Sequence, residues 1–284
     1  MELVIVHLTD IHIQDDQDFD VIFDRITSLG GAICDHITDP DITAVLMCVT
    51  GDLAFSGQEN QYTSISLLLE EICSIIRKRF SKVGIYPVFV PGNHDCDFQD
   101  EKEKVREALL DSPTLDIADP SLLKACTEIQ KNYFSFVSEW EKNYNAMSCK
   151  PDRILTVNEL NLNQGEISIK FHCFNTSWCS RCHEEKGKMK IVNGKMNMPS
   201  DCLKDKEEND IVITMMHHDA EWMDWEDKEV WNAYHKKYSD IILVGHDHTA
   251  EFVLKQNYDE SSNYFVKGNQ LYDKKRLSRV DLIF

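Results

Sequence analysis

The chain has 284 residues, 42% of them apolar and 28% charged, enough for one substantial domain with a buried core. A formal charge of −19 argues against a general polyanion binder, because nucleic-acid affinity rests on phosphate neutralisation by Lys and Arg. No run approaches the roughly 18 consecutive apolar residues of a membrane span, and Met1-Glu2-Leu3-Val4-Ile5-Val6 has an acid where a signal peptide carries bases, so the expected setting is cytoplasmic. Ten cysteines then read as reduced residues, with Cys48, Cys73 and Cys173 inside apolar runs. The cluster Cys179-Ser180-Arg181-Cys182-His183 falls short of the four ligands a structural zinc needs, and haem attachment by such a pattern needs export.

Five β-rich apolar runs, at 3–6, 42–49, 85–90, 211–216 and 241–244, have the length and branching of strands. Between the first two, Phe19, Ile22, Phe23, Ile26, Leu29 and Ile33 recur at helical spacing, which predicts a helix over 19–37. Residues 62–80 repeat the pattern with Ile65, Leu68, Leu69, Ile72, Ile75 and Ile76. The alternation predicts an α/β domain whose first half is mainly parallel. Residues 99–147 break that rhythm: charged helical stretches at 101–110 and 121–145, punctuated by Pro113 and Pro120, read as a helical insertion. A further strand is predicted at 167–174, and antiparallel strands at 251–254, 264–266 and 277–284. No repeat or long linker divides the chain, so residues 1–284 read as a single domain. Its close on Val280-Asp281-Leu282-Ile283-Phe284 suggests a longer parent protein, with additional domains or a protein partner beyond residue 284.

The chemistry lies at or just beyond the end of each of the five runs: Asp10-Ile11-His12, Gly51-Asp52, Gly92-Asn93-His94-Asp95, His217-His218 and Gly245-His246-Asp247-His248. In open α/β sheets sites form at the carboxyl ends of strands, so these distant segments should converge on one rim. Gly51, Gly92 and Gly245 let the backbone turn sharply there. Singly, each motif reads better as a helix cap, a turn or a histidine bonded to a carbonyl. Five in the same structural position outweigh those readings. The mixture of carboxylate, amide oxygen and imidazole suits Mn, Fe or Zn rather than calcium or a thiolate-bound zinc.

In order and spacing, Asp10-x-His12, Gly51-Asp52, Gly92-Asn93-His94-Asp95, His217 and Gly245-His246-x-His248 resemble the calcineurin-like metallophosphoesterase superfamily, over nearly the whole chain. The resemblance implies a four-layer αββα sandwich of two mixed sheets flanked by helices, and a site for two divalent metal ions, Mn²⁺ foremost. It puts Asp10, His12, Asp52 and His248 on one ion and Asp52, Asn93, His217 and His246 on the other, with Asp52 bridging. It leaves His94 off the metals. It further implies hydrolysis by metal-bound hydroxide, with His94 protonating the leaving oxygen and Asp95 accepting the other N–H of that ring. Two such cations bring about +4 to one spot, so an acidic chain still suits a small phosphate ester.

The stretch Gly51-Asp52-Leu53-Ala54-Phe55-Ser56-Gly57 lacks the Asp-Arg-Gly of the Ser/Thr protein phosphatases and, with Tyr62 downstream, is similar to the bacterial phosphodiesterase-type branch. Asp219 stands where many relatives carry Pro; of His217 and His218, His217 is the expected ligand. Asn175-Thr176-Ser177-Trp178 reads either as a substrate contact or as a structural turn. The expected activity is phosphodiester hydrolysis, with a nucleotide among the candidate substrates. A DNA or RNA nuclease effector domain and a phosphomonoesterase are the alternatives, and a non-catalytic binding scaffold is disfavoured because every expected ligand is retained. Tyr133, Phe134, Phe136, Trp140 and Tyr144 of the insertion either stack on a substrate or glue the insertion to the body. Asp15, Asp16, Asp18 and Asp20 read as a solvated approach to a helix, and Lys274, Lys275, Arg276 and Arg279 are too few for a nucleic-acid patch.

Overall fold

The computed structural model describes residues 3–14, 16–38, 41–100, 102–112, 119–144, 147–150, 153–162, 167–190, 210–256 and 262–271. Strands β1 (Leu3–Leu8), β2 (Ala44–Thr50) and β3 (Gly84–Val90) pair in parallel in that order, joined by the crossover helices α1 (Asp16–His36) and α2 (Glu59–Arg79). All seven residues of the central strand β2 are buried, and its two-residue period divides them between two cores. Val45, Met47 and Val49 pack with Leu68, Leu69 and Ile72 of α2. Leu46 and Cys48 face the other way, onto Phe171, Ile213 and Met215.

Those last residues belong to a second sheet, in the order β4 (Ser148–Lys150), β5 (Leu155–Leu162), β6 (Ile167–Phe174), β7 (Asp210–Met215), β8 (Ile241–Val244), β10 (Ser262–Lys267) and β9 (Glu251–Gln256). It is antiparallel at both ends and parallel from β6 through β10. On its outer face helix α6 (Trp225–Tyr238) lays Trp231 and Tyr234 over Phe174, Ile242 and Val244. Helices, sheet, sheet and helix make the expected four-layer α/β sandwich. One detail differs from the expectation of two mixed sheets: the described strands of the first sheet are all parallel, and the run 277–284 lies outside the described residues.

The insertion contains α3 (Glu103–Leu110), α4 (Pro120–Cys126) and α5 (Lys131–Asn143). The stretch predicted as one helix over 121–145 is two, because a 3-10 turn at Glu128–Gln130 redirects the chain. Arg106 ties the insertion to the body: its buried guanidinium donates to the carbonyls of Cys126 (2.7 Å), Trp178 (2.9 Å) and Ser180 (2.7 Å). Tyr133, Phe136 and Trp140 are buried in the first core, with Phe136 and Trp140 against Phe89 of β3, so these aromatic residues glue rather than stack on a ligand. In the cysteine cluster the Cys179 thiol donates to the carbonyl of Lys190, and among the described residues eight cysteines stand outside any disulfide.

Candidate metal centre

All five loops open at the carboxyl ends of β1, β2, β3, β7 and β8, and the fold brings them together. Backbone hydrogen bonds join the first two: Asp10 N–H to Gly51 O (3.1 Å), His12 N–H to Asp52 O (3.0 Å) and Ile13 N–H to Leu53 O (3.2 Å). The third loop enters a 3-10 turn at Asn93–Asp95, and the His94 N–H donates to Asp52 Oδ1 at 2.8 Å. Gly51 has φ +89°, and a Cβ there would meet Gly92 N at 2.6 Å; a Cβ on Gly92 would meet Asp52 Oδ1 at 2.1 Å. The last two loops join through Gly245 N–H to His217 O (3.0 Å), and His246 N–H reaches across to Asp10 Oδ2 (3.1 Å).

The side chains fall into two overlapping groups. In one, His248 Nε2 lies 3.0 Å and His12 Nε2 3.6 Å from Asp10 Oδ1, and His12 Nε2 lies 3.7 Å from Asp52 Oδ2. In the other, His217 Nε2 is 3.2 Å from the same Asp52 Oδ2 and 3.1 Å from Asn93 Oδ1, while His246 Nδ1 is 3.0 Å from Asn93 Oδ1 and 3.2 Å from His217 Nε2. Asp52 is common to both. Among the described residues, the non-glycine residues with positive φ are Asp10, His12, Asp52, His246 and His248. Every one belongs to the predicted donor set, and a left-handed backbone at such residues costs about 1–3 kcal/mol each. Among the described non-glycine residues such strain is confined to these positions.

The donor set fits a pair of cations. His217 Nδ1 lies 2.7 Å from the carbonyl of Thr50, which can only accept, so in the neutral ring Nε2 is a lone pair aimed at Asn93 Oδ1, Asp52 Oδ2 and His246 Nδ1. Asp10 Oδ1 is buried without a hydrogen bond of sound geometry. Lone pairs converging on lone pairs are favourable only around positive charge. Burial pushes His217 down, but Asp52 and then Asp10 raise it to about 10. Burial works against the charged forms of Asp10 and Asp52 too, yet the histidines around them hold both carboxyls below the usual carboxylate range.

Residues 3–250 match the family model described as calcineurin-like phosphoesterase. The chain belongs to that family. It is a metal-dependent phosphoric ester hydrolase, in a family that depends on a dinuclear metal centre. Among solved structures it is similar to a dimetal phosphatase from Danio rerio, at 10% identity over 94% of this chain and 87% of that one, with a TM-score of 0.46. No curated protein matches it. Among the described residues of the phosphoesterase, no helix is long and apolar enough to cross a membrane.

Around the donors, two expectations for this phosphoesterase resolve differently. His94 Nδ1 lies 2.7 Å from the carbonyl of Phe55, not from Asp95. The Asp95 carboxylate instead accepts from the backbone of Ala54 (3.0 Å) and Gly92 (2.9 Å) and from the Tyr62 hydroxyl (2.9 Å), so the expected Asp95–His94 pair is corrected. Asp95 braces the turn because four donors outside the ring, the N–H of Leu53 among them, already claim its oxygens. His217 Nε2 approaches Asp52 and Asn93, whereas His218, which also groups with His217 and His246, is engaged by the Thr176 hydroxyl at Nδ1 (3.0 Å) and by Glu184 at Nε2 (3.1 Å). Thr176 thereby has a structural part, as does Asn175, bonded to Gln130. Sequence reasoning missed Glu184 and Lys267. Glu184 sits two residues past the cysteine pair with no motif of its own, and Lys267 ends a strand of unremarked polarity.

Proposed function

We propose that this phosphoesterase hydrolyses small phosphodiesters, nucleotides among them, with Asp10, His12, Asp52 and His248 holding one divalent ion and Asp52, Asn93, His217 and His246 the other. The observation that carries this reading is the meeting of seven donors from five loops, five of them on strained backbone. Mn²⁺ is the proposed metal, with Fe and Zn as alternatives, from the mixture of imidazole and oxygen donors. When bound, the ions lower the pKa of water and neutralise charge building on the phosphate oxygens.

His94 is the proposed general acid. The Phe55 carbonyl accepts from Nδ1 and so leaves Nε2 as the atom that hands a proton to the leaving oxygen. An alkoxide leaving a diester needs that proton. The diester reading is further supported by the phosphodiesterase-like Ser56-Gly57 and Tyr62: Tyr62 donates to Asp95 Oδ1, and Asp95 braces the turn that carries Asn93 and His94. We read residues 1–284 as one domain with 99–147 inserted, and the mostly buried cysteines outside any disulfide among the described residues support a cytoplasmic setting.

The test is chelation followed by Mn²⁺ reconstitution and assay on aryl phosphodiesters, aryl phosphomonoesters, cyclic nucleotides, and single- and double-stranded DNA. Diesters are expected to turn over fastest. Asp52→Asn should lose both ions and all turnover, whereas His94→Ala should keep both ions and slow roughly 10²–10⁴-fold. Faster monoester than diester hydrolysis, or equal activity in all three proteins, would overturn the reading.

A further inference from the structure

Strained backbone persists only where its surroundings over-determine it. At Asp10, His12 and Asp52 the surroundings are other backbone groups, paired loop to loop. The third strained stretch, 245–248, places His246 at φ 69° and His248 at φ 51°, and besides the backbone N–H bonds of Gly245 and His246 it is held through the side chain between the two histidines. Asp247 Oδ2 accepts from the Lys267 ammonium at 2.5 Å, and Asp247 Oδ1 accepts from Trp222 Nε1 at 3.0 Å.

The same ammonium lies 2.6 Å from Asp219 Oδ2. Asp219 directly follows His217 and His218, and its other oxygen accepts from Glu221 N–H at 2.9 Å, starting the 3-10 turn that carries Trp222. The Trp222 ring then stands edge-on to His246, with centroids 4.2 Å apart at 88°. Lys267 is the last residue of β10, the sheet neighbour of β8, so the strand delivers its ammonium and the loops do not. It is 13% exposed, against 6% for Asp219 and 22% for Asp247, so water screens the group weakly.

Resting on the ligand reading above, we infer that Lys267 is a positioning residue that cross-ties the loop of His217 to the loop of His246 and His248, holding both in register for metal. Its charge offsets two carboxylates that stand beside the donors. Its reach explains why an aspartate follows the paired histidines in this chain. The ion proposed to sit on Asn93, His217 and His246 depends on both tied loops; the other depends on one of them, through His248 alone.

The test is a titration of the chelated full chain with Mn²⁺ by calorimetry and with Co²⁺ by visible absorption, whose intensity reports coordination number. Lys267→Met removes the tie. Asp247→Asn cuts one arm and leaves Lys267 paired with Asp219, which protects folding if the first variant fails to fold. Each variant should weaken one ion 10–100-fold and change its Co²⁺ spectrum, with the second ion shifted less, and Lys267→Arg should restore most of the affinity. Two ions bound with wild-type affinity and spectra, alongside only a lower melting temperature of the metal-free protein, would reduce the tie to an ordinary buried ion pair and overturn the inference. A wild-type chain that binds no metal would overturn the ligand reading and this inference with it.

Discussion

The two halves of the centre hold their donors by different means. Around β1 and β2 the loops hold one another backbone to backbone, the Asp95 carboxylate braces the β3 loop against the second, and Gly51 and Gly92 let all three approach closely. Around β7 and β8 the backbone bond from Gly245 N–H to His217 O is supplemented by side chains, with one lysine, one tryptophan and two aspartates tying the loops from outside. Backbone pairing tolerates almost any side chain except where a Cβ intrudes, so the first half is sensitive at its glycines. The second half is sensitive at charges that are not themselves donors.

Gly92→Ala should break the first half with the largest effect. The new Cβ would press on Asp52 Oδ1, the carboxylate shared by both groups. A displacement of that oxygen by about 1 Å should cost on the order of 10²-fold in turnover, read as kcat at saturating Mn²⁺ together with metal stoichiometry. Turnover at the wild-type level would mean that the loops have more slack than their pairing suggests.

A smaller effect is expected in the second half from Trp222→Leu, which deletes a donor to Asp247 and the ring beside His246 but leaves the Lys267 ion pairs intact. Metal affinity should fall by a factor of roughly ten, the low end of the about 1.5–3 kcal/mol that a hydrogen bond to a charged group contributes, because Lys267 still holds Asp247. A larger loss by calorimetry than that of Lys267→Met would move the main tie from the lysine to the indole.

The smallest effect concerns the layer beneath the second half. His172 on β6 is lowered to about 4 and His235 on α6 to about 3, in each case chiefly by burial. The unfolded chain therefore binds more protons than the folded one from about pH 6.5 down to those values, and stability is lost as pH falls through that window. Each group should contribute a slope of about 1.4 kcal/mol per pH unit. Denaturant unfolding of the metal-free protein between pH 6.5 and 4.5 should show it, and His235→Gln should flatten it by about one proton. His7 beneath the first sheet is lowered to about 4 as well, so two histidines on one side are set against one on the other. An unchanged slope in His235→Gln would show that this histidine is not held neutral.

Much of the site was legible because its chemistry is written locally. A strand followed by glycine and a donor announces both the turn and its purpose, and all five motifs lie at strand ends. The helices α1 and α2 were readable from their apolar period, whereas α6 was not, because its inner face is made of Trp231, Tyr234, His235 and Asp227 among charged neighbours. The Asp95–His94 pair failed for a related reason. Adjacency in sequence says which groups are near, and only the packed turn decides which of Ala54 N–H, Gly92 N–H, Tyr62 hydroxyl and the imidazole an aspartate meets.

By itself the sequence determined the parallel first half and the proposed set of candidate donors, since periodicity, glycine placement and donor type are properties of short segments. Tertiary structure alone decided that His218 meets Thr176 and Glu184, and that Lys267 reaches Asp219 and Asp247. A charged side chain has no period and no preferred partner along the chain. Which carboxylate it meets is settled only when strands pair and bring distant loops to one rim.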